Sequence, residues 1–224
     1  MMTLLRYSLL LLLFAPSVAA QDDAYVRALE QALANEDTTS TLETMLVAIT
    51  AFERIAERYP ARWEAPYWAA HLYGQAARLE DMDQNDESLV HHDKAQAYFD
   101  QAWAAWSARP ERTAVEESDF YVLQSLLYGL RSSYYIRHGE QEQARVLFAL
   151  DGEYMLRAAI ANSNNPRIYM SRGIDLIRHE ATREEGRRIL HEAIQKYAAH
   201  PPATSIAPNW GRPWIDFWLS RYES

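Results

Sequence analysis

The sequence predicts an all-α domain of about nine helices behind a signal peptide, and three observations carry that reading. Apolar residues recur at roughly 3.6-residue spacing along nearly the whole chain, as they do on amphipathic helices. No stretch sustains an apolar–polar alternation of strand length, and Val is scarce. Prolines and capping residues stand where the periodic runs begin and end.

The elements follow in order. Residues 1–20 read as a signal peptide: Arg6 supplies the charge, Tyr7 to Phe14 the apolar core, and Val18-Ala19-Ala20 the small-residue exit after Pro16. That apolar run is shorter than the roughly 20 residues a spanning helix needs. Residues 21–224 are then expected as one domain, with helices over 23–35, 41–59, 65–80, 89–108, 114–138, 141–162, 166–180, 183–199 and 212–222. Leu42, Met45, Ile49, Phe52, Ala56 and Tyr59 share one face, opened by a capping box from Ser40 to Glu43 and ended by Pro60. Ala95, Phe99, Ala102 and Trp106 share another, ended by Pro110. Asn165-Pro166 reads as an N-cap with proline in the first helical position. Thr182 with Glu185 reads as the cap of a run through Ile189, Ala193 and Tyr197 that stops before Pro201. The acidic segment from Asp81 to Ser88 is expected as a mobile surface loop, and His200 to Arg212 as an extended arm across the surface.

Composition bounds the function. The chain has no Cys, so its core must hold without disulfides, and no lipid-bearing cysteine follows the signal. A periplasmic or secreted protein is expected. Residues 1–20 hold one basic residue and no acid, which leaves 21 Lys and Arg against 31 Asp and Glu, a net charge of −10. No basic stripe of the kind a nucleic-acid binder needs is visible.

Small–large–small patterns suit closely stacked helix pairs. Ala95-x3-Phe99-x2-Ala102 and Gly186-x3-Leu190-x2-Ala193 share one spacing, each followed eight residues on by a Pro, and Ala144-x3-Phe148 is a partial copy with Asp151 in place of the last Ala. Upstream of each lies an interior glycine, Gly74, Gly129 and Gly173, which suits close helix packing. On these residues the chain resembles tetratricopeptide-like proteins. With Asn165-Pro166-Arg167 and Pro208-Asn209-Trp210-Gly211 it is similar to exported bacterial ones of poorly characterised function. The glycine spacings of 55 and 44 exceed the usual repeat period of about 34, so the resemblance implies an irregular, compact stack rather than an open solenoid.

No motif for chemistry stands out. There is no G-x-S-x-G, Walker loop or G-x-G-x-x-G, and no catalytic residue, metal site or cofactor is assigned. His91-His92 point about 100° apart on a helix and read as surface histidines. Asp151 interrupts an apolar stripe and needs a donor or an open groove. The aromatic clusters read as packing; Trp214, Phe217 and Trp218 are expected to seal the end of the stack, with Trp210-Gly211 plugging it. The resemblance implies an inner groove on the face of Trp68, His71, Gln75 and Arg78, residues equally compatible with a partly exposed helix face. The expected function is an envelope interaction module holding a protein or peptide partner there, with Asp151 as a further candidate. The alternative is a small-ligand or glycan site, possibly enzymatic. Burial of the stripe in the core would remove the groove.

Overall fold

The computed structural model describes residues 18–36, 41–83 and 87–222. These form nine α-helices: α1 (Val18–Glu36), α2 (Leu42–Arg58), α3 (Glu64–Met82), α4 (Ser88–Ser107), α5 (Ala114–Arg137), α6 (Gln141–Ala161), α7 (Pro166–Ile177), α8 (Arg183–Ala199) and α9 (Arg212–Tyr222). One 3-10 turn, Glu180–Thr182, precedes α8, and no strand occurs among the described residues. Most of the expected signal peptide lies outside them. No described helix is long and apolar enough to cross a membrane.

Consecutive helices pack on one another, most extensively α5 on α6, α3 on α4 and α7 on α8, with α2 lying on α3 and α1 on α2, while α9 lies across α7 and α8. The interior glycines sit where backbones approach. A Cβ on Gly74 would stand 2.8 Å from Leu127 Cδ2, and one on Gly173 2.6 Å from Leu190 Cδ2. The core they permit is aromatic, with Tyr25, Phe52, Tyr67, Trp68 and Phe120 fully enclosed. Burial of such side chains is the main favourable term available to a cysteine-free chain.

The capping expectations need correction. Ser40 lies outside the described residues, and the box on α2 is made by Thr41 and Thr44, each side chain accepting from the other's backbone N–H at 3.2 Å. Thr182 does not cap α8 with its side chain; its hydroxyl donates to the Leu176 carbonyl at 2.8 Å. Asn165 caps α7 as expected, accepting from Arg167 N–H at 3.1 Å.

The C-terminal arm is the largest departure. It does not run over the surface but turns inward and buries Ile206 and Trp210. Trp68 Nε1 donates to the Ile206 carbonyl at 3.2 Å, and Trp210 Nε1 donates to Tyr67 Oη at 3.1 Å. The Trp210 carbonyl accepts from Arg167 Nε at 3.1 Å and Tyr197 Oη at 2.9 Å. Gly211 then turns with φ +104°, a conformation that suits glycine, and a Cβ there would strike Tyr197 and Met170. Trp210 therefore fills the inner face of α3 instead of the end of the stack, and Phe217 on α9 stays half exposed.

Candidate functional site

The stripe expected to form a groove is on the inner face, but it is closed. Trp68, His71 and Gln75 are at most 4% exposed, and Arg78 is partly buried. The His71 ring stacks on Trp210 at 4.5 Å and lies 6.0 Å from the Trp214 ring. The arm occupies the place where a peptide was expected, so the predicted groove is overturned by the chain's own residues. Burial, with Arg167 as a smaller cause, lowers the His71 pKa from 6.5 to about 3, and neither ring nitrogen finds a hydrogen-bond partner among the described residues. Gln75 Oε1 accepts from Arg78 Nε at 3.2 Å. Below lies a buried polar lock: Asp119 Oδ1 accepts from Arg167 Nη1 at 2.9 Å and from Asn165 Nδ2 at 2.8 Å. Burial pushes the Asp119 carboxyl up, against the pull of Arg167 and Asn165. Every member of this lock holds the arm and α7 in place, which is structural work.

Asp151 stands apart from the stripe, half-buried, accepting a hydrogen bond from Ser125 Oγ on α5. A Cβ on Gly129 would stand 3.0 Å from its Oδ2, so Asp151 packs against α5 where Gly129 leaves room. Burial first, then Asp175, raises its pKa.

The histidines expected on the surface are inside. His91 Nε2 lies 3.3 Å from Glu80 Oε2, and both side chains are buried between α3 and α4. Asp81, expected in a mobile loop, ends α3 as a buried carboxylate paired with Arg137 on α5; residues 84–86 of that loop lie outside the described residues. His92 is 3% exposed. Burial first, then Arg131 and His91, lowers its pKa to about 4, so it is neutral at neutral pH. Its Nε2 has no hydrogen-bond partner among the described residues.

His92 lines a cavity of about 600 Å³ between α4, α5 and α6. That volume falls within the ~300–1,000 Å³ range of small-molecule sites. Three helices contribute one face each. From α4 come His92 and Gln96 at i and i+4; from α5, Leu127, Tyr128, Arg131 and Tyr135; from α6, Val146 and Leu147, with Glu142 and Gln143. Two further contacts fix the walls: Ser132 Oγ donates to the Ala144 carbonyl at 2.9 Å, and Gln96 and Gln124 exchange side-chain hydrogen bonds at 2.9 and 3.1 Å. Arg131 Nη2 lies 2.9 Å from Asp93 Oδ1, and its guanidinium lies 5.9 Å from the Tyr135 ring centre. Burial leads the causes that raise the Tyr128 phenol, which keeps it protonated. No group of three or more His, Asp or Glu side chains suited to a metal ion occurs among the described residues.

Sequence reasoning missed this site. The available signal was Tyr128, Arg131 and Tyr135 at i, i+3 and i+7 on α5, the same periodic argument that was applied to α3.

No protein-family model matches the chain. No curated protein matches it in sequence. Its fold is similar to that of the HusA haemophore from Porphyromonas gingivalis, with a TM-score of 0.68 and 19% sequence identity over 91% of this chain and 94% of that one.

Proposed function

We propose that this protein is an exported helical binding protein that takes a flat, largely apolar ligand of the porphyrin class, haem included, in the pocket between α4, α5 and α6. One observation carries the reading: the cavity joins two phenol rings and three aliphatic side chains, with a neutral histidine and one arginine on its wall. Apolar walls with a few convergent polar groups are the usual make-up of a small-ligand site. The fold shared with a protein named a haemophore supports it. The residues present fit haem: Leu127, Tyr128, Tyr135, Val146 and Leu147 would line the macrocycle, and the neutral, buried His92 borders it. The iron of a bound haem would supply a Lewis-acid centre; the chain supplies burial, orientation and exclusion of water.

Titration of the purified protein with haem and with protoporphyrin IX, followed by the Soret band, tests this. Saturable binding is expected, weakened at least tenfold by Val146→Arg, a substitution at a half-exposed position on the pocket wall. No spectral change, or binding indifferent to Val146→Arg, would sink the proposal.

A protein partner is the second reading, favoured by the outer face of α6. Phe148, Leu156 and Ile160 are 69%, 62% and 77% exposed there, an apolar patch of the kind interaction surfaces carry. A photo-crosslinker at Phe148 in an envelope extract should capture one discrete partner; a diffuse pattern counts against this reading.

A further inference from the structure

We infer that Arg131 is the specificity-determining residue of the α4–α5–α6 pocket, and that it selects ligands bearing a carboxylate. The inference rests on the proposed ligand-binding role of that pocket and adds the chemical class of ligand.

The argument is an inventory of the charges and donors lining the cavity. Arg131 is the one Lys or Arg among the lining residues, and Glu142, exposed at the rim, is the one acid. His92 is neutral, held so first by burial. Gln96 is committed: its amide nitrogen donates to Asp100 Oδ1 at 2.9 Å and Gln124 Oε1 at 3.1 Å, and its oxygen accepts from Gln124 at 2.9 Å. Arg131 is not committed. Its Nη2 pairs with Asp93, while Nε and Nη1 make no hydrogen bond among the described residues.

The present partner is easily exchanged. Asp93 does not line the cavity, and its side chain is 63% exposed against 26% for Arg131. A pair with one well-solvated member is weak. An anion brought in by a ligand meets the guanidinium on its less solvated side, where a planar fork holds a carboxylate through two parallel hydrogen bonds. An apolar pocket would otherwise reject a carboxylate, because an unpaired charge there loses its hydration. Glu142 is paired with Arg145 at 2.7 Å, so Arg131 is the cation open to a ligand, and one guanidinium suits a carboxylate better than a phosphate dianion.

The test compares protoporphyrin IX with its dimethyl ester, delivered from the same co-solvent, by fluorescence titration against the full mature protein. Both are metal-free, so axial ligation does not enter. The diacid should bind about tenfold tighter than the ester, the scale of one charge-assisted hydrogen-bonded pair. Arg131→Gln should abolish that difference, and Arg131→Lys should restore part of it. Asp93→Asn, at an exposed position, should tighten the diacid alone. Equal binding of acid and ester by the unaltered protein overturns the role of Arg131 and leaves the pocket reading standing. A preference that survives Arg131→Gln overturns it too. Failure of both porphyrins to bind overturns the pocket reading itself. Far-UV circular dichroism and Tm, expected unchanged in Asp93→Asn, show that its effect does not come from misfolding.

Discussion

On α3, Trp68, His71, Gln75 and Arg78 gather an aromatic ring, a histidine, an amide and a cation on one face. Between α4, α5 and α6, Tyr135, His92, Gln96 and Arg131 gather the same four kinds of residue. The first set is sealed under the C-terminal arm, with Trp210 stacked on His71. The second borders an open cavity of about 600 Å³. Both histidines are buried and neutral, and both leave ring nitrogens without partners. Residue kind and histidine burial are therefore matched, and what separates the two faces is whether the chain supplies its own occupant.

The largest expected effect probes the sealed face. Trp210→Ala should destabilise the protein by about 3–5 kcal/mol, the cost of emptying a buried aromatic site, read as a shift in the urea midpoint. Porphyrin affinity, measured well below the transition, should stay within about twofold, because distant sites without shared partners act independently. Equal losses of stability and affinity would show that the two faces are one unit.

The next effect is in pH. His71 and His92 have folded pKa values of about 3 and about 4, below the unfolded value of 6.5. Below pH 6.5 the unfolded chain binds protons that the folded chain refuses, so stability falls as pH falls from 6.5 toward 4. Each histidine contributes a slope approaching about 1.4 kcal/mol per pH unit within that window. His71→Phe should remove one proton's share of the slope, measured by urea unfolding at pH 7.0, 5.5 and 4.5. An unchanged slope would mean that the arm does not keep His71 neutral.

The smallest effect concerns the exposed part of α6, beyond the pocket wall. Nothing lies within 4 Å of a Cβ placed on Gly152, at an exposed position of α6. Gly152→Ala should raise stability by about 0.5–1 kcal/mol through helix propensity alone, seen as a higher Tm. A loss instead would show that this face of α6 is covered in solution.

Much of the fold was legible in the sequence because its signals are local. Periodicity placed the helices, Asn165-Pro166 placed the start of α7, and Gly74, Gly129 and Gly173 marked close approaches. Capping boxes were harder to read, because several Ser and Thr residues compete for one role; Thr41 with Thr44 makes the box expected from Ser40 and Glu43. The site was not legible. Trp68 meets Ile206 across 138 residues, and Tyr67 meets Trp210 across 143, so nothing near α3 announces that its face is filled. His91-His92 read as solvated because adjacent residues seldom share burial on an amphipathic helix. Here both α3 and α5 flank α4, and each takes one histidine.

The bonds that tie the arm to α3 also bear on the order in which the molecule is made. Tyr67 and Trp68 leave the ribosome some 140 residues before Ile206 and Trp210. Until that late segment emerges, an aromatic face destined for complete enclosure has no cover. Closing so long a loop is a slow step in folding, and an uncovered apolar face during that delay invites aggregation. A nascent chain of this kind gains from being held unfolded until its last residues are available.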